Sequence, residues 1–207
     1  MRRIILLKRL GFITRRECQN FADSSPFLQY HNFYEVHESG AINAEPEDII
    51  AALEELDMRN DKLADMLLSV REFPGKFLDF FRTRRGRKKF TPFGFNSFTL
   101  LLRSSHELSL GLAGRFWRPD LVINEVDDAQ KFKLLDDPKA AKLVVRFKVI
   151  EYPEHIHALR AETFVYCPNI RVKILFTPYW LAIRLASGWI RQRTLISIQK
   201  KLSMEQR

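Results

Sequence analysis

Arg115 and Trp117 stand two residues apart in Leu112-Ala-Gly-Arg-Phe-Trp-Arg-Pro119, which places both on one face of a strand, with Gly111 and Ala113 before them. Small residues on a concave face leave room for a ligand. Trp117 would then wall that space, and Arg115 would meet a carboxylate or carbonyl. Glu162 shares a strand face with Arg160, Ile156 and Phe164. A carboxylate on an inward face is costly unless paired, and Arg115 and Arg160 are its expected partners. Tyr179 and Trp180 are adjacent in a long apolar segment, where the Tyr179 hydroxyl would reach a ligand or a strand carbonyl. His155 and His157 have a spacing that points both to one side of a strand, but no third ligand accompanies them, and no metal site is expected. His31, His37 and His106 are scattered, and no Ser-His-Asp or Cys-His order suggests an activated nucleophile.

A different chemistry is written in Arg82-Thr-Arg-Arg-Gly-Arg-Lys-Lys89. Arg82, Arg84, Arg85, Arg87, Lys88 and Lys89 place six cations in eight residues, with Phe80, Phe81 and Phe90 at the edges. Such a loop suits an anionic surface, either a membrane interface reached by the rings or a phosphate backbone. The membrane is the favoured partner and nucleic acid the disfavoured one.

The elements that must position these residues follow from periodicity. Phe33 to Ala41 is the first strand candidate. Asn43-Ala-Glu-Pro-Glu-Asp then opens a helix, with Pro46 in the first turn and Glu47 and Asp48 at its positive end. Ile49, Ile50, Leu53 and Leu56 form its buried side, and a second helix is predicted over 62–70. Strands are predicted over 95–103 and 107–117, with a short helix over 127–134. In the next strand Leu143, Val145, Phe147 and Val149 face one way, and Arg146 and Lys148 face the other. Tyr152-Pro-Glu-His155 is the turn of a hairpin whose return strand runs over 156–166. Asn169 caps a long helix whose stripe is Val172, Leu175, Tyr179, Ile183, Ala186 and Ile190. Ile174, Leu181, Leu185 and Trp189 make a second apolar side, and Pro178 is expected to bend or divide the helix.

Composition bounds the class. The chain has 207 residues, 46% apolar and 29% charged, enough for one domain with a substantial core. Seventeen Phe favour an aromatic core or an aromatic-lined pocket. The net charge of +9 raises the expectation of anionic partners, although the tract 45–65 is acidic. Cys18 and Cys167 do not make a disulfide scaffold, so a reduced, cytoplasmic setting is expected, with a peripheral position at the inner membrane surface compatible with it. The apolar run after Arg2 and Arg3 is cut by Lys8 and Arg9, too soon for a signal peptide. Arg171, Lys173, Arg184 and Arg191 interrupt the C-terminal segment, which argues against a membrane span.

Three stretches carry a resemblance to a known family. They are the strand and helix start from Tyr34 to Leu53; Leu112 to Pro119; and Ala161-Glu-Thr163 together with Tyr179-Trp180 and Ser187-Gly-Trp-Ile-Arg191. The pattern resembles the START-related, helix-grip superfamily (SRPBCC), and within it an uncharacterised bacterial branch. The resemblance covers residues 33–202, leaving 1–30 as a basic N-terminal appendage and 31–207 as the domain. It implies an α+β helix-grip fold: a curved antiparallel β-sheet wrapped around a long C-terminal helix, with two short helices after the first strand. It also implies an apolar cavity between sheet and helix, for a lipid, polyketide or similar small hydrophobic ligand. Ligand-binding residues on this reading are Arg115, Trp117, Glu162, Tyr179 and Trp180, with no cofactor. The alternatives are a cyclase- or aromatase-type enzyme in the same cavity, or binding to a membrane or nucleic acid through the loop 82–89. No catalytic constellation is visible, so a non-enzymatic carrier leads. Oligomeric state is left open.

Overall fold

A computed structural model describes residues 10–19, 24–28, 30–60, 98–118, 122–182 and 184 of the chain. The predicted helix over 62–70 and the basic loop 82–89 lie outside the described residues.

The fold is α+β. Helix α1 (Arg15–Gln19) comes first, then β1 (Phe33–Glu38) and helix α2 (Pro46–Asn60). Strands β2 (Thr99–Arg103), β3 (Glu107–Arg115) and β4 (Val122–Ile123) follow, then helix α3 (Ala129–Leu134). The hairpin of β5 (Ala141–Tyr152) and β6 (Ile156–Tyr166) turns on a short 3₁₀ segment, Pro153–His155. Helix α4 closes the order, running over residues 170–182 without a break at Pro178.

The six strands form one open antiparallel sheet in the order β1-β6-β5-β3-β2, with β4 pairing β3 off this path. The first strand therefore pairs with the last. Hairpins join β2 to β3 and β5 to β6, whereas the central pair of β3 and β5 is connected through β4 and α3. The edge at β1 is protected by the segment before it: Tyr34 N–H donates to the Gly11 carbonyl, and Ile13 N–H to that of Asn32, both at 2.8 Å. Of the residues set apart as an appendage, Phe12 bridges to Phe33, and Cys18 and Leu28 are buried. Thr14-Arg-Arg-Glu17 makes a capping box for α1, in which Thr14 Oγ1 accepts from Glu17 N–H and Glu17 Oε2 accepts from Thr14 N–H.

Both faces of the sheet are covered, and the register divides their residues cleanly. Leu143, Val145, Phe147 and Val149 of β5 share one face with Leu108, Leu110 and Leu112 of β3, Leu159, Ala161 and Val165 of β6, and Phe33 of β1. Here α2 brings Ile49, Ile50 and Leu53, and α4 brings Val172, Phe176, Tyr179 and Trp180. The other face carries Ala113, Val144 and Phe164, packed under Phe132 of α3 and under Leu28. β3 and β5 are buried on both sides along most of their length, Ser109, Lys142 and Arg146 included.

Two polar contacts seat the helices. Asn169 Oδ1 accepts from Val172 N–H at 3.0 Å and caps α4, while its amide donates to the Pro138 carbonyl at 2.6 Å. Arg103 on β2 meets both Glu54 oxygens at 3.1 Å and Glu47 at 2.9 Å, clamping α2 to the sheet edge. Of the stripe expected on α4, Val172 and Tyr179 are buried, Leu175 is corrected, and Ile183, Ala186 and Ile190 lie outside the described residues. Leu175 is exposed, and Phe176 takes the central buried place. The helix's phase is set by Val172, Phe176 and Tyr179, spaced four and three, and Leu175 falls outside that arc.

Candidate functional site

Alternation along each strand decides which predicted residues meet. On the face covered by α4, five aromatic side chains gather around Phe176. Its ring centroid lies 5.4 Å from Phe33, 5.8 Å from Phe116, 5.5 Å from Trp117 and 5.5 Å from Tyr179. Most of these contacts are edge-on or tilted, the favoured geometry for aromatic pairs. Trp180 is fully buried, lies 5.3 Å from Phe33, and donates its indole N–H to the Leu10 carbonyl at 3.0 Å. Three predicted residues, Trp117, Tyr179 and Trp180, are thus brought together. Phe33, Phe116 and Phe176 complete the wall and were not singled out beforehand; the count of seventeen Phe was their only sequence signal.

Arg115 and Glu162 are not part of that wall. Gly111 and Ala113 face the opposite side, where the space beside Gly111 is taken by Phe132 and Leu101. A Cβ at Gly111 would stand 2.8 Å from Phe132 Cε2, so the small residue makes room for α3, and the reading of a ligand space there is corrected. Arg115 closes β3 beside Asp137. That carboxyl is held below its usual range chiefly by the Asn124 amide, then by the Lys139 N–H, with Arg115 adding its charge.

Glu162 is buried on this same second face, and its partner is neither Arg115 nor Arg160. Directly across the strand pair, Arg146 Nε donates to Glu162 Oε2 at 2.7 Å, and Nη2 stands at 2.7 Å from the same oxygen. Tyr34 OH donates to the other oxygen at 2.7 Å. Burial, followed by this bond to Glu162, raises the Tyr34 pKa above its ordinary value. The Arg146 guanidinium also lies 5.0 Å over the Phe164 ring. Register chose the partner: Arg146 faces Glu162 as a direct pair, whereas Arg160 is one position along the same face and turns to Glu38 at 2.9 Å. Both Glu162 oxygens are held, which suits a tether between strands better than proton transfer. Arg115, Glu162 and Tyr179, the polar groups a cyclase would use together, do not share a face.

Next to this tether, Cys18 Sγ lies 3.3 Å from His31 Nδ1. The His31 ring stands edge-on to Phe164 at 5.2 Å. Burial lowers the His31 pKa to about 4, so the imidazole is neutral at pH 7. Burial likewise pushes the Cys167 thiol up to about 12. Both conditions favour a packing role over nucleophilic chemistry.

Back on the α4 face, a polar group sits among apolar ones. Thr163 pairs across the sheet with Glu35 on one side and Val145 on the other. Its hydroxyl is buried and, among the described residues, has no hydrogen-bond partner. Glu35 Oε1 is 3.3 Å from Arg184 Nε and 3.2 Å from His37 Nε2. The next pair on this face is Phe33 with Val165, so the polar cluster adjoins the aromatic wall. His157 is buried on this face while His155 is exposed in the turn, so the two do not form a pair of ligands. Among the described residues no three His, Cys, Asp or Glu side chains gather to hold a metal ion, and no helix is long and apolar enough to cross a membrane. Arg82, Arg84, Arg85, Arg87, Lys88 and Lys89 lie outside the described residues.

The chain matches no protein-family model, no curated protein and no solved structure.

Proposed function

We propose that this is a helix-grip-type domain that holds a small, mainly apolar ligand between the sheet and α4. The observation that carries the reading is the Thr163 hydroxyl, 3% exposed and without a hydrogen-bond partner among the described residues, on the face that bears the aromatic wall. A buried hydroxyl left unpaired costs about 1–3 kcal/mol, and a ligand oxygen beside it removes that cost. Strand order supports the same reading. The first strand pairs with the last, a meander separates them, and the helix after the last strand packs across the face.

The rings around Phe176 already fill one end of this interface. The ligand is therefore placed at the Thr163 end, with Trp180 and Phe33 as its apolar boundary and Glu35, His37 and Arg184 as polar neighbours. Its chemistry is an apolar body with a single hydroxyl or carbonyl. Arg115 and Glu162 have no direct contact with it, and Trp117 and Tyr179 act by shaping the wall.

Native mass spectrometry of freshly purified protein, with mass spectrometry of its organic extract, tests this reading. An adduct of one small, apolar, oxygen-bearing molecule is expected. Thr163→Val keeps the shape and removes the hydroxyl, so it should keep the melting temperature and lower adduct occupancy about tenfold. A wild-type protein of bare mass, with an empty extract, overturns the proposal.

A further inference from the structure

The outward side of α4 is unlike an ordinary solvated helix face. Ile170, Ile174 and Leu175 are 66%, 62% and 61% exposed, and Pro178 is exposed beside them. At roughly 100° per residue these positions fall within one arc of about 140°, opposite the arc of Val172, Phe176 and Tyr179. Among the described residues the one charge within the exposed arc is Arg171, itself exposed. Lys139 is also exposed, in the loop that Asn169 ties to the start of the helix. From Pro168 to Met204 the sequence has no carboxylate and seven cations, Arg171, Lys173, Arg184, Arg191, Arg193, Lys200 and Lys201. Asp136 and Asp137 share the loop of Lys139, but the helix's own charges are all basic, and aliphatic side chains set out in water on such a helix match an interface that is oily inside and negative outside. A second copy packed face to face through this helix would set Arg171 against the same basic helix.

We propose that the outer face of α4 docks the protein on an anionic lipid surface, with Ile170, Ile174 and Leu175 entering the interface and Arg171 meeting lipid phosphates. The docking does not depend on an internal ligand. Three aliphatic side chains give reversible binding, and the cations make it selective for anionic lipid and sensitive to salt.

Co-sedimentation of the full chain with vesicles tests it. Vesicles of phosphatidylcholine alone should leave the protein in solution, while vesicles with roughly a third phosphatidylglycerol should pellet it, less so as salt rises. Ile174→Ser with Leu175→Ser should weaken this partition at least about tenfold. Both side chains are exposed, so the melting temperature should hold. A second variant, with Arg84, Arg85, Arg87 and Lys88 changed to Gln, should retain α4-dependent binding. Failure to pellet with anionic vesicles overturns the proposal. So does binding untouched by the α4 variant, binding wholly lost in the loop variant, or a dimer in solution that the α4 variant dissociates.

Discussion

Arg146 and Glu162 face each other directly across β5 and β6, 2.7 Å apart and both almost wholly buried. Their attraction offsets the cost of taking two charges out of water, and Tyr34 and the Phe164 ring complete the enclosure. Glu162→Leu leaves the guanidinium buried and uncompensated, and should cost about 3–5 kcal/mol in urea unfolding. Arg146→Leu combined with Glu162→Leu should recover at least about 1 kcal/mol of that loss. A double variant as unstable as the single one would show that the pair is not the source of the cost.

His31 gives the fold an acid sensitivity of defined sign. Its folded pKa is about 4 against an ordinary 6.5, so between these values the unfolded chain binds more protons. Stability should therefore be full above about pH 6.5 and fall as pH drops toward 4. The depression corresponds to about 3 kcal/mol. Cys18, Tyr34 and Phe164 surround the ring and bring no cation to it. His31→Leu should flatten this part of the stability profile, followed by urea unfolding at a series of pH values. An unchanged slope would assign the sensitivity elsewhere.

Gly111 is the point where α3 meets the sheet. In Gly111→Ala the new Cβ would stand 2.8 Å from Phe132 Cε2 and 2.9 Å from Leu101 Cδ1. Overpacking of this kind should cost about 1–3 kcal/mol, and Phe132→Leu added to it should return part of that loss. Thermal unfolding of the two variants checks the coupling.

Cys167 should be inert in the folded protein. Its burial and raised pKa leave almost no thiolate at pH 8, so an aromatic disulfide reagent should label it only after urea is added. Labelling at native pH 8 at the rate of an exposed thiol would contradict the burial.

Much of the architecture was legible from period alone. The strand predicted over 156–166 coincides with β6, the 127–134 helix with α3 within two residues, and Asn169 caps α4 as its side chain suggested. These features depend on neighbours in sequence: alternation at period two, a capping oxygen, a proline in a first turn. The capping box Thr14-Arg-Arg-Glu17 was equally visible in principle, because its signal is local.

The candidate site was read less completely. Trp117, Tyr179 and Trp180 do share an aromatic wall, but Arg115 and Glu162 belong to the sheet's other face. Glu162 was expected to need a cation, with Arg115 and Arg160 as its partners, while period two had set Arg146 with Lys148 on the side away from Leu143 and Val145. Which arginine stands opposite depends on the hairpin register, and a shift of one residue would have exchanged both faces.

By itself, then, the sequence determined which segments form the main strands and helices and which residues alternate together, since those follow from local sterics and burial period. Only the tertiary structure decided which face each stripe meets, that Gly111 serves Phe132 rather than a ligand, and that Arg146 holds Glu162. Those choices are made by contacts between segments far apart in the chain, whose energies no local pattern carries.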